Sequence, residues 1–251
     1  MKPAYQSGLD KLARRQRAWY RLRLGRLLLE AELERLNHIL PNLFGYHLLQ
    51  VGRIADADLL TASRIAHRVV LDADPEMPTS VPPALYARPD ALPIAADSID
   101  VLILPHTLEF EPDPHQVLRE AERVLIAEGS LVILGFNPWS LWGLWRLVLM
   151  RRNHPPWRAR FLSLSRTRDW LALLGFDEVE THPYFFRPPV HHEATMKKLH
   201  FMEVLGGRCW PQMSGAYVLV AKKRVSTLTP IKPSWRQPRQ LIGARWAEPS
   251  S

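Results

Sequence analysis

The chain is short of cysteine, of long apolar runs and of metal-ligand spacings. Cys209 is the only cysteine in 251 residues, so no intrachain disulfide can form and nothing points to an oxidising compartment. The histidines His182, His191, His192 and His200 come without an HExxH or CxxC spacing, and no metal is expected. The most hydrophobic stretch, Trp139 to Met150 (WSLWGLWRLVLM), falls short of the ~20 residues a membrane-spanning helix needs, and it contains Arg146. Arginine and glutamate interrupt the run from Leu22 to Leu33, which therefore does not read as a secretion signal. No internal repeat is apparent. A soluble, cytoplasmic protein is expected.

Acid is scarce at the two ends. Residues 1–36 hold nine Lys/Arg against four Asp/Glu, and residues 222–251 hold seven against one; residues 37–221 hold seventeen against twenty. The formal charge of +8 thus belongs to the termini and not to the middle. A solvated basic helix and a basic tail account for it. Weak attraction to an anionic membrane or to nucleic acid is the alternative; RNA binding of that kind would fall steeply with salt. Nucleic acid is not the expected partner.

What is present is an α/β pattern. Ser98 to Leu104 (SIDVLIL) is an apolar run suited to a strand buried on both faces. Asp113 stands at a helix N-cap, Pro114 takes the first helical position, and Gln116 completes a D-x-x-Q capping box. Val117, Leu118, Ala121, Val124 and Leu125 share one helical face, Gly129 is expected to stop the helix, and Leu131 to Leu134 reads as a second buried strand. Strand, helix and parallel strand make a βαβ unit with a right-handed crossover. Residues 9–36 read as one amphipathic helix, with Leu24, Leu27, Leu28 and Ala31 at helical spacing.

The stretches LPIAADSIDVLILPHTLEF and DPHQVLREAERVLIAEGSLVILGFNP, from Leu92 to Pro138, resemble the second half of a class I S-adenosylmethionine-dependent methyltransferase of the type 11 family. That family's pattern here is roughly LPF-x-D-x-SFD-x-V, a short acidic loop, a helix ending in R-x-L, then a turn and a strand. The resemblance implies a doubly wound, mostly parallel seven-stranded sheet, a Rossmann-like methyltransferase fold. It also implies S-adenosylmethionine as the cofactor and a small-molecule acceptor.

The resemblance implies where the cofactor would lie. His47 to Gly52 (HLLQVG) stands at the first strand and its glycine-rich turn, where the family reads like VLDLGCGTG and this chain reads LLQVGRIAD. Gly52 is kept, Gln50 stands in place of an acidic residue, and Ile54 and Asp56 replace the later glycines. Glycine lets a ligand approach the backbone, and here Cβ atoms crowd the turn. Gln50 could still accept a hydrogen bond from an ammonium group. Asp72, at the end of the strand in RVVLDAD, is the candidate for the two ribose hydroxyls, since a carboxylate accepts two hydrogen bonds at once. The proline-rich PEMPTSVPPA leaves the fold's second helix shortened or missing. Arg88 occupies the position of an adenine-binding acid, and Asp90 is the candidate to take that role. Leu104 and Pro105 end the central strand, where ligands of open α/β sheets sit. His106 follows as a candidate base toward an acceptor hydroxyl or amine.

The Trp139–Arg160 stretch departs from a minimal fold. Trp139, Trp142 and Trp145 with Leu141, Leu144, Leu147 and Val148 suggest a lid or substrate pocket, and the arginines that follow, Arg151, Arg152, Arg158 and Arg160, also suit an interfacial membrane helix or partner contact. In RFLSLSRTRDWLALLGFDEV, Ser165 is a candidate helix cap and Gly175 the helix stop. Tyr217 to Ala221 reads as a closing strand. The expected organisation is a helical extension over 1–40, a methyltransferase-like domain over 41–224 with the Trp-rich lid insertion at about 139–160, and a flexible basic tail over 225–251. Two functions follow: a methyltransferase, or a fold that has lost turnover at the degraded turn and serves as a ligand- or partner-binding module.

Overall fold

The computed structural model of the chain describes residues 14–73, 84–149, 157, 159–189, 206 and 210–224. Seven strands form one sheet: β1 (His47–Val51), β2 (His67–Asp72), β3 (Ala84–Tyr86), β4 (Ile99–Pro105), β5 (Leu125–Phe136), β6 (Phe176–Tyr184) and β7 (Ala216–Lys223). Their spatial order is β3-β2-β1-β4-β5-β7-β6. The first five are parallel, and β7 runs antiparallel between β5 and β6. This is the doubly wound, mostly parallel seven-stranded sheet that the family resemblance implies.

The strands are apolar on both sides because both sides are covered. On one face, Leu48, Val70, Val101, Ile103, Val132 and Val218 pack under helix α1 (Arg23–Ile39). On the other, Leu49, Leu102, Leu131 and Leu219 pack under α3 (Pro114–Val124) and α5 (Leu164–Leu173). A short α2 (Thr107–Phe110) follows β4, and α4 (Leu141–Leu149) follows β5. Between β1 and β2 the chain has only turns. There Ile54, Leu59, Leu60 and Ile65 are buried with Leu24, Leu28, Leu36 and Ile39 of α1, so α1 covers the sheet where a crossover helix would otherwise lie.

The β4–α3–β5 unit keeps its predicted order. Asp113 caps α3, its Oδ1 accepting from the Gln116 N–H at 3.1 Å, with Pro114 at the first position. The reciprocal half of the capping box is replaced: the Gln116 side-chain oxygen accepts from Arg119 instead.

Two expected helix boundaries are corrected. Helix α3 ends at Val124 and not at Gly129, because Leu125 turns extended (φ −72°, ψ 136°), buries itself and pairs with Ile99. Gly129 therefore lies within β5. Ser163, not Ser165, caps α5, accepting from the Arg166 N–H, and Ser165 lies inside the first turn. Gly175 (φ +80°) does end that helix, its N–H donating to the Ala172 carbonyl.

The expected single helix over 9–36 is two pieces: residues 14–20 are helical, then α1 begins at Arg23. The Leu22 N–H donates to the Trp19 carbonyl at the break. Gly25 makes the corner feasible, since a Cβ there would lie 2.4 Å from the Trp19 carbonyl oxygen. The PEMPTSVPPA stretch before Ala84, the histidines His191, His192 and His200, Cys209, and the 225–251 tail all lie outside the described residues.

Candidate functional site

The carboxyl ends of the parallel strands converge on a cleft between β1 and β2 and the loop after β4. Gly52 leaves β1 with φ +93°, and an added Cβ would sit 2.7 Å from the Thr107 hydroxyl oxygen. Its N–H donates to the Leu71 carbonyl at 2.8 Å, tying the turn to β2. Gln50 is buried, and its Nε2 donates to the Gly52 carbonyl at 2.8 Å. The amide nitrogen is thus spent on holding the turn. Asp72, the last residue of β2, is buried beside this turn.

Asp72 is already engaged. Arg17, from the helical segment at 14–20, is 2% exposed. Its Nη2 lies 2.8 Å from Asp72 Oδ1 and 2.8 Å from Oδ2. Arg17 Nε also donates to the Arg53 carbonyl at 3.3 Å. The Arg53 side chain stands near the same carboxylate, its Nε 3.7 Å from Oδ2. Among the described residues Arg53 Nε and Nη2 have no hydrogen-bond partner. Two buried guanidinium groups face one carboxylate. Ile54 is buried in the turn, where crowding by a Cβ was expected, while Asp56 turns outward and pairs with Arg21 at 2.7 Å. The space left, lined by Gly52, Arg53, Asp72, Pro105, Phe110 and Glu111 among others, is a cavity of about 60 Å³.

His106 occupies a left-handed backbone position (φ 55°) directly after β4 and is completely buried. Glu109 Oε2 lies 2.7 Å from its Nδ1, and Glu32 Oε1, from α1, lies 3.0 Å from its Nε2. The Tyr20 hydroxyl donates to the same Glu32 oxygen at 3.0 Å, and Glu109 Oε1 accepts from the Phe136 backbone N–H. Burial alone would lower the imidazole pKa, but the Glu109 and Glu32 carboxylates outweigh it and raise it to about 10. Both ring nitrogens therefore carry protons and both are bonded. In this arrangement His106 has no lone pair for an acceptor's proton, which sets the geometry against the predicted base. It ties α1 to the end of β4.

The other predicted residues divide. Leu104 is buried in the sheet, whereas Pro105 lines the cleft. Asp90 pairs with Arg88 through Oδ2, and its buried Oδ1 has no hydrogen-bond partner among the described residues, which leaves an acceptor of the kind an amino group needs. Glu111, in the cleft wall, has its pKa raised to about 7 by burial and by Asp90, with Arg88 opposing.

The Trp-rich segment is half core and half surface. Trp142 is buried against Phe136, Trp157, Phe185 and Trp19. Trp139, at 76% exposure, stands outside with Leu144, Trp145 and Leu147. Arg151, Arg152 and Arg158 lie outside the described residues. A second cavity of about 480 Å³ opens beyond the ends of β5 and β6, with Asn137, Trp139, Ser163, Arg168, Gln212 and Tyr217 in its wall. Among the described residues no group of His, Cys, Asp or Glu could hold a metal ion. Likewise no described helix is long and apolar enough to cross a membrane.

Sequence reasoning missed Arg17, Arg53, Tyr20 and Glu32. The one available signal was Glu32, an acid three and four positions from leucines on the apolar side of α1.

Known proteins share both the pattern and the shape. A family described as "Methyltransferase domain" matches residues 52–133. The uncharacterized protein YafS of Escherichia coli (strain K12) is 36% identical over 230 residues, 90% of either chain. A SAM-dependent methyltransferase of Thermotoga maritima superposes with a TM-score of 0.63 at 16% identity, over 86% of this chain and 98% of that one. The [4+2]-cyclase SpnF superposes with a TM-score of 0.52 at 16% identity, over 76% and 81%.

The cleft can be tested against a nucleoside cofactor such as S-adenosylmethionine. Gly52, Asp72 and the free Asp90 oxygen suit one. The volume does not: sites for ligands of that class hold roughly 300–1,000 Å³, and Arg17, Arg53 and Ile54 fill this one down to about 60 Å³. With Arg17 in place the cofactor does not fit.

Proposed function

Because the chain belongs to the class I S-adenosylmethionine-dependent methyltransferases of the type 11 family, we propose that it transfers a methyl group from S-adenosylmethionine to a small-molecule acceptor. The observation that carries this reading is the placement of Asp72 at the end of β2, beside the positive-φ turn at Gly52 and within a sheet of order β3-β2-β1-β4-β5-β7-β6. That is where the fold presents a carboxylate to a ribose. Asp90 serves the adenine amino group, and the Gln50 amide oxygen serves an ammonium group.

The cavity of about 480 Å³, in the volume range of small-molecule sites, is the acceptor pocket on this reading. It shares no wall residue with the Asp72 cleft, so the acceptor must extend from it toward that cleft to meet the sulfonium methyl. Methyl transfer depends largely on positioning, so the absence of a free base at His106 is compatible with it. A cytoplasmic location agrees with the lone cysteine. The exposed Trp139, Leu144, Trp145 and Leu147 offer weak contact with an anionic membrane surface, favoured by the five arginines and no acid of residues 139–160. Co-sedimentation with phosphatidylserine vesicles that Trp145→Ser leaves unchanged would remove that contact from the account.

One observation favours a second reading, a non-catalytic binding module: the chain fills its own cleft with Arg17. The fold does not decide between the two, and a cyclase shares it. Calorimetric titration of the purified protein with S-adenosylmethionine and S-adenosylhomocysteine separates them. Micromolar binding supports the enzyme; no binding up to millimolar, by the wild type or by Arg17→Ala, supports the module.

A further inference from the structure

The helical segment at 14–20 does more than cover the sheet. We infer that Arg17 is an internal ligand of the nucleotide cleft: it takes the two hydrogen bonds on Asp72 that a ribose diol would take, and it must withdraw before any nucleoside enters. The inference rests on the methyltransferase reading for the identity of the ligand, but not for the occlusion itself.

The chemistry of the two occupants is alike. A buried carboxylate needs donors on both oxygens, since leaving one unpaired costs its full desolvation. Arg17 Nη2 meets both oxygens at 2.8 Å. A vicinal diol would meet the same pair with two O–H groups. The two cannot bind together, because the remaining space is about 60 Å³. Arg53 Nε lies 3.7 Å from the same carboxylate, so withdrawal of Arg17 takes away its two close hydrogen bonds and leaves a cation nearby; a ligand with paired donors replaces those two.

The C-terminal end of the segment is anchored in the core. Arg21 pairs with Asp56 at 2.7 Å, largely exposed, and Trp19 meets the edge of Trp142 at a centroid distance of 6.1 Å. Tyr20 donates to Glu32, which in turn holds His106. The break at Arg21–Leu22 lies between Arg17 and α1. Trp19 and Tyr20 are buried in one core with the leucines of α1, so they stay in place and the withdrawal is confined to the residues before them, Arg17 among them. Apparent affinity for a nucleoside is then reduced by the fraction of molecules in which the segment is open.

The test compares wild type with Arg17→Ala, Arg17→Lys and Asp72→Asn in two measurements. The first is amide hydrogen exchange of residues 14–18 with no ligand present. Exchange at least tenfold faster in Arg17→Ala and Asp72→Asn is expected; rates equal to wild type overturn the occlusion. The second is calorimetric binding of S-adenosylhomocysteine. Affinity in Arg17→Ala at least tenfold above wild type is expected, with Arg17→Lys between the two and Asp72→Asn binding poorly. Equal measurable affinity in Arg17→Ala and wild type overturns the inference. Faster exchange with no binding by any variant leaves the occlusion standing and removes the methyltransferase reading. Arg17→Lys keeps the positive charge, so it carries the test should Arg17→Ala not fold.

Discussion

The two halves of the sheet keep the family pattern to different degrees. In the β4–β5 half, residues 99–136, the strands, the helix cap and the burial follow the sequence pattern, and only the end of α3 departs from it. In the β1–β2 half the strands and Asp72 are in place, but the turn carries Arg53 and Ile54, no helix joins the strands, and a side chain from outside the half sits on the carboxylate. The difference teaches what holds each half. The first is fixed by apolar packing, which every substitution disturbs. The cleft is fixed by what it binds. When the occupant is the chain's own Arg17, the glycines that would admit a larger ligand are no longer needed.

The largest effect is expected where the halves are joined. Glu109→Ala removes a carboxylate from the buried His106 cation and the acceptor of the Phe136 N–H. Breaking a buried pair of this kind costs about 3–5 kcal/mol, read as a lower midpoint in urea unfolding; a loss under about 1 kcal/mol would mean that water reaches the cluster.

Gly52→Ala comes next. It forces a side chain into φ +93° and a Cβ within 2.7 Å of the Thr107 oxygen, an effect of about 1–3 kcal/mol. A neutral result would mean the turn has freedom that the β4–β5 half lacks.

Glu111 sharpens the comparison through pH. Its folded pKa of about 7 lies above the unfolded value, so the folded state holds the proton more tightly. Its contribution is fully present below about pH 4.5, and stability falls as pH rises from there to about 7. Thermal unfolding of Glu111→Gln across that window should lose this slope; an unchanged slope would assign it to another group. The smallest change is Asp113→Ala, which deletes the α3 cap for about 1 kcal/mol, measured by the same urea titration.

Legibility in the sequence followed the same division. The βαβ unit could be read because its signals are local: an apolar run, then Asp113-Pro114 and a helical stripe. The end of α3 was misplaced because pairing of Leu125 with Ile99 overrides the glycine four residues later. Ser163 was passed over for Ser165 because both can cap, and only the backbone path chooses. Asp72 was legible as an acid ending a strand. Its partner Arg17 was not, because no periodicity marks a contact across 55 positions. His106 looked like a free base for the same reason: the Glu32 that occupies its Nε2 comes from a helix 74 positions away.

The most direct test of the account is the ratio of S-adenosylhomocysteine affinities of Arg17→Ala and wild type, measured by calorimetry in one buffer. A gain of tenfold or more on removing Arg17 is predicted for a nucleotide cleft closed by its own chain. Equal affinities in the two proteins would contradict it and place the cofactor elsewhere than on Asp72.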